Sequence, residues 1–72
     1  MTINEMLEQG ITIQGPVWVG GYSEEGTAEH IFFEGEAEWY GPDEEDWYDK
    51  EITYIYPTIW GQLRIELKIE EA

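Results

Sequence analysis

Carboxylates are the only reactive groups this sequence holds in number. Seventeen Asp and Glu stand against three Lys and Arg, one histidine (His30) and no cysteine. Ser23 is the only serine. A Ser-His-Asp or Cys-His constellation needs a nucleophile, a base within hydrogen-bond reach and an orienting group. That inventory supplies neither. His30 lies two residues before Phe32 on a strand face rich in Glu, and a surface imidazole paired with a neighbouring carboxylate is expected there. Paired carboxylates hydrolyse glycosides when suitably spaced. Among seventeen acids such pairs arise by chance, and a 72-residue chain offers little cleft. The chain therefore reads as non-enzymatic, with no cofactor.

Two binding chemistries remain. Asp43, Glu44, Glu45, Asp46 and Asp49 could offer hard oxygens to calcium, but the stretch lacks the residue order and central glycine of an EF-hand. An ordinary solvated acidic loop is the plainer expectation. Gly20-Gly21 reads as a turn, not a phosphate cradle. Direct nucleic-acid binding needs Lys and Arg on phosphates, and the net charge of −14 opposes it.

The inverse holds more promise. A chain of this length has an expected radius of gyration of about 11 Å, a diameter near ~29 Å. Duplex DNA of that length holds about 17 charges. Glu34, Glu36 and Glu38 would project from one strand face about 6.7 Å apart, close to two phosphate steps. The expected function is an acidic binding module that engages a basic protein surface, as a nucleic-acid mimic or an anti-defence accessory factor. The acidic face would comprise Glu34, Glu36, Glu38, Asp43, Glu44, Glu45, Asp46 and Asp49. Alternating Glu on a strand is also the ordinary solvent face of a half-buried sheet. The alternative is a homo-oligomer, such as a homodimer, whose charge serves solubility alone.

Aromatics supply the second signal. Four Trp, five Tyr and two Phe make up 15% of the chain. Trp18, Tyr40, Trp47, Tyr48 and Phe32 fall on faces or loops outside the expected core. Indole and phenol rings beside carboxylates suit Lys and Arg of a partner. Trp18, Tyr40, Trp47 and Tyr48 are thus the expected aromatic binding residues.

The elements that position these groups are short. Thr2 and Glu5 have capping-box spacing, and Ile3, Met6 and Leu7 share a helical face, so a helix is expected over 3–9 before Gly10. Ile11, Ile13, Gly15, Val17 and Val19 alternate as a strand, with Pro16 marking an edge or a bulge. Residues 20–27 form a turn, with Gly26 near its end. Ile31, Phe33, Gly35, Ala37 and Trp39 share one face of the next strand. Glu34, Glu36, Glu38 and Tyr40 share the other, with His30 and Phe32, and Gly41-Pro42 closes the strand. Residues 43–49 form a loop or one helical turn. Ile52, Tyr54 and Tyr56 mark a third strand ending at Pro57. Leu63, Ile65, Leu67 and Ile69, alternating with Arg64, Glu66, Lys68 and Glu70, mark a fourth that could also pair edge to edge.

The expected fold is one domain over 1–72, mainly β with an α+β borderline: a four-stranded antiparallel meander or small barrel with a short N-terminal helix. The 42% hydrophobic content and regular alternation argue against disorder despite the charge. Residues 1–20 lack a basic n-region and an apolar h-region, and no run suits a membrane span, so a cytoplasmic setting is expected.

The stretches 2–11 (TINEMLEQGI), 36–38 (EAE) and 51–57 (EITYIYP) resemble segments of small acidic accessory proteins carried by phages and conjugative elements of Gram-positive bacteria. The resemblance covers about half the chain and includes no functional motif. It implies a bacterial cytosolic setting and an accessory role, and it assigns no activity or site residue. The Trp-rich middle, Trp39 to Tyr48, departs from it.

Overall fold

The N-terminal capping box forms as its spacing requires. In the computed structural model, which describes residues 1–23 and 28–69, the Thr2 hydroxyl accepts from the Glu5 amide at 3.1 Å, and the Glu5 carboxylate accepts from the Thr2 amide at 2.9 Å. The helix it starts, α1 (Ile3–Glu8), has only six residues. A helix this short has no stability of its own. Burial of Ile3 and Leu7, each contributing about 1.5–3 kcal/mol, holds it on the sheet.

Four strands follow: β1 (Ile13–Tyr22), β2 (Glu29–Trp39), β3 (Ile52–Pro57) and β4 (Leu63–Leu67). They form one sheet in the order β2-β1-β4-β3. The hairpins β1–β2 and β3–β4 are antiparallel, but β1 and β4 pair in parallel. The sheet is therefore mixed and open, which corrects both the antiparallel meander and the barrel. The cause is the connection from β2 to β3. It leaves one edge and arrives at the other, crossing the inner face through a 3₁₀ turn, η1 (Asp46–Asp49), whose Tyr48 is buried.

The fourth strand is thus internal, and β3 takes the edge that sequence alternation suggested for β4. Pro16 lies on an internal strand, paired with Glu36 of β2 and outside the Val17–Gly20 span over which β4 pairs with β1. Gly20 and Gly21 do not end β1, which runs on to Tyr22. They are glycine because the space beside them is filled: a β-carbon at Gly20 would meet the His30 carbonyl and the Trp18 ring, and one at Gly21 the Leu67 carbonyl and Ile69. Residues 24–27 of that turn, with Gly26, and also Glu70, lie outside the described residues.

The inner face carries the core. Ile13, Val17 and Val19 of β1 stand opposite Trp39, Gly35 and Phe33 of β2, and Val19 stands opposite Ile65 of β4. A bulge between Val19 and Gly20 leaves Phe32 as the extra residue on β2. This shifts Ile31 to the outer face, where it is exposed, and turns Phe32 onto the core, stacked on Trp47 with centroids 6.1 Å apart. Both residues lie opposite to the faces that strict alternation assigns. Trp39, Trp47 and Tyr48 close the cluster, with centroids 4.8–5.6 Å apart. Among the described residues only the inner face has a covering layer, and the molecule is a slab of 34 × 28 × 16 Å. Among the described residues no helix is long and apolar enough to cross a membrane.

Candidate functional site

The candidate acids lie on edge strand β2 and along the connection that leaves it to cross the inner face. Glu34, Glu36 and Glu38 stand on the outer face of edge strand β2, opposite Trp18, Pro16 and Gln14. All three are exposed. The chain then turns through Tyr40–Pro42 into Asp43, Glu44, Glu45, Asp46 and Asp49, which are exposed as well. Every candidate carboxylate therefore reaches solvent.

Two of them also serve the fold. The buried Asn4 side chain donates through Nδ2 to the carboxylates of both Asp43 (3.0 Å) and Asp49. Its Oδ1 accepts from the Asp43 amide at 2.7 Å. This clamp ties the acidic loop to α1 at Asp43, whose φ of +65° lies in the left-handed region that Asp tolerates better than most non-glycine residues. Asp43 and Asp49 thus converge on an amide. Among the described residues no three carboxylates gather around a point that could hold a metal ion.

The other charges are left largely unpaired. The only ion pair among the described residues joins the Met1 ammonium to Glu51 at 2.8 Å. Glu51 thereby raises the pKa of that ammonium, mainly through the hydrogen bond. His30 is exposed, as expected, and among the described residues it pairs with no carboxylate.

Two of the three cations sit on aromatic rings of the chain itself. The Arg64 guanidinium lies 3.8 Å from the Trp18 ring centroid, and Lys50 Nζ lies 5.9 Å from that of Phe32. Arg64 Nε is buried there without a hydrogen-bond partner among the described residues. Trp18 is on the outer face, as its alternation indicates, yet it is only 4% exposed, because Arg64 covers it and the ring runs over Gly20.

The four aromatic candidates are therefore not equivalent. Tyr40 is exposed. Trp18 and Tyr48 are buried, and Trp47 is half-buried among Phe32, Trp39 and Tyr48. As folded, Trp18 and Tyr48 offer no ring to a partner. Burial, with the nearby charges of Glu44 and Glu45, pushes the Tyr48 hydroxyl up to about 12.

The most exposed apolar residues, none of them among the candidate binding residues, lie at the opposite edge. Tyr54 is 66%, Ile59 89% and Trp60 85% exposed. A signal for them existed: residues 52–63 carry no charge at all in a chain of net −14. Tyr56, on the same strand, donates to Glu66 Oε2 at 2.8 Å, which raises the tyrosine pKa.

No protein family, curated protein or solved structure matches this chain.

Proposed function

We propose that this protein is a non-enzymatic binding module whose acidic border engages a basic protein surface and takes the place of nucleic acid there. One observation carries the reading. Of the nine acids along β2 and the following loop, only Asp43 and Asp49 are hydrogen-bonded to the chain through their side chains among the described residues, and all nine face solvent. The field they project is left for something else to neutralise. Their spacing supports the same reading: Glu34, Glu36 and Glu38 repeat every second residue, about 6.7 Å apart.

The chemistry is occupancy and charge complementarity, with the carboxylates meeting Lys and Arg that otherwise hold phosphates. Tyr40 adds an exposed ring beside them. The bacterial cytosol and a phage or conjugative element are the setting we propose for it. Electrostatic association of this kind is fast and weakens as salt rises. A panel of basic DNA- and RNA-binding proteins assayed at two salt concentrations tests it. Binding that falls steeply with salt is the expected result. Salt-independent binding, or none across the panel, overturns the proposal in favour of a charge that serves solubility alone.

A further inference from the structure

We propose that the edge formed by β3 and the turn after it is a self-association surface, at which two copies of this chain meet about a two-fold axis. The inference does not depend on the acidic border. It begins with charge. Residues 50–69 hold all three cations and only two of the seventeen acids, a local charge of +1, while the rest of the chain carries −15. The strand order then separates the halves. Acidic β2 forms one edge of the sheet and β3 the other. Two copies of so anionic a chain repel wherever their acidic borders approach, and the β3 edge is where they meet with least opposition.

The same edge holds the largest exposed apolar groups. Tyr54, Tyr56, Ile59 and Trp60 are exposed there, while Ile55, also exposed, stands on the other face opposite Ile65. At roughly 200 Å² for a whole side chain of this size, the exposed part of these four comes to about 550 Å² per protomer. Two such patches bury about 1,100 Å², which clears the roughly 1,000 Å² that a specific interface needs.

The patch is also held in shape. In the β3–β4 turn the Thr58 amide donates to the Gln62 carbonyl at 2.8 Å, and the Gly61 amide to the Thr58 carbonyl at 3.1 Å. The Gln62 amide donates to Thr58 Oγ1 at 3.2 Å, and Gly61 takes a φ of +80° to close the turn. Ile59 and Trp60 are thus presented on an ordered scaffold, which lowers the entropy lost on association. Pro57 withholds an amide and a bulge interrupts the strand between Ile52 and Tyr54, so side chains rather than a long backbone ladder carry the contact. A dimer joined here keeps its two β2 edges, with Glu34, Glu36 and Glu38, at the far ends of the assembly.

Sedimentation equilibrium over a range of protein concentrations, with tryptophan emission recorded alongside, tests the inference. A monomer–dimer equilibrium is expected. Emission should shift to the blue as dimer forms, because Trp60 is covered while the other indoles are already sheltered. Added salt should strengthen the dimer by screening the acids. The double variant Ile59→Ser with Trp60→Ser should keep its circular dichroism, since both side chains lie almost wholly in solvent, and should weaken the dimer about tenfold or more. A monomer at every concentration, a dimer unmoved by the double variant, or open-ended polymers would each overturn it.

Discussion

Gly20→Ala is the substitution that tests the packing of the outer face most sharply. A β-carbon built at Gly20 would lie 2.5 Å from the His30 carbonyl oxygen and 2.6 Å from the Trp18 ring. The first obstacle is backbone of the paired strand and cannot rotate away. The second is a ring pinned under Arg64. Overpacking of this kind costs about 1–3 kcal/mol. Against it stands a gain of about 0.4–1 kcal/mol from a less flexible unfolded chain. At the midpoints of these ranges the net loss is about 1.3 kcal/mol, which lowers the melting temperature of a domain this size by about 5–10 °C. Gly41→Ala is the matched control: a β-carbon there meets nothing within 4 Å, so that variant should melt at or slightly above the parent temperature. Thermal unfolding followed by circular dichroism reads both. If Gly20→Ala melts no lower than Gly41→Ala, the glycine is there for a turn and the close approach described above is wrong.

Other consequences follow from the clamp, the buried phenol and the charge. Asn4→Ala should cost about 1–3 kcal/mol in a denaturant titration, because it leaves Asp43 and Asp49 facing one another without the amide between them. An unchanged midpoint would mean the clamp contributes nothing. Tyr48 titrates near 12 when folded and near 10 when unfolded, so the folded state keeps its proton more tightly. Its contribution is complete below about pH 10 and is lost towards pH 12 at about 1.4 kcal/mol per unit. Tyr48→Phe should flatten that alkaline slope, and an identical slope in the variant would contradict the assignment. Finally, the parent chain without a partner should melt a few degrees higher as salt rises from about 0.01 to 0.15 M and the screening length falls from about 30 to 8 Å. A melting temperature that falls over that range would show that self-repulsion is not a leading cost.

Local signals in the sequence proved legible, and those that depend on distant partners did not. The Thr2–Glu5 pair specified the start of α1 because both capping contacts lie within one turn. The alternation from Leu63 to Leu67 specified β4 because one face of it had to be buried. The β2 bulge was illegible, since Phe32 turns inward only to meet Trp47 on a segment that crosses from elsewhere. The strand order was illegible for the same reason. Nothing local to residues 40–51 says that Tyr48 will be buried under the sheet and carry β3 to the far edge. At the candidate site the exposure of the acids was readable from their polarity alone. The fate of Trp18 was not: its face was evident from period-two alternation, but the Arg64 that covers it arrives from another strand. The chain satisfies with its own cations two of the rings that sequence reading assigned to a partner or to the surface.

The acidic border is the central claim, and its own charge is the most direct handle on it. A binding titration against a basic nucleic-acid-binding protein, run at low and physiological salt, should compare the parent chain with Glu34→Gln/Glu36→Gln/Glu38→Gln. These side chains are exposed and make no hydrogen bond to the fold among the described residues, so the variant should remain folded. The triple variant should bind more weakly at low salt and lose affinity less steeply as salt rises. Equal affinity and an equal salt response in the two proteins would contradict it.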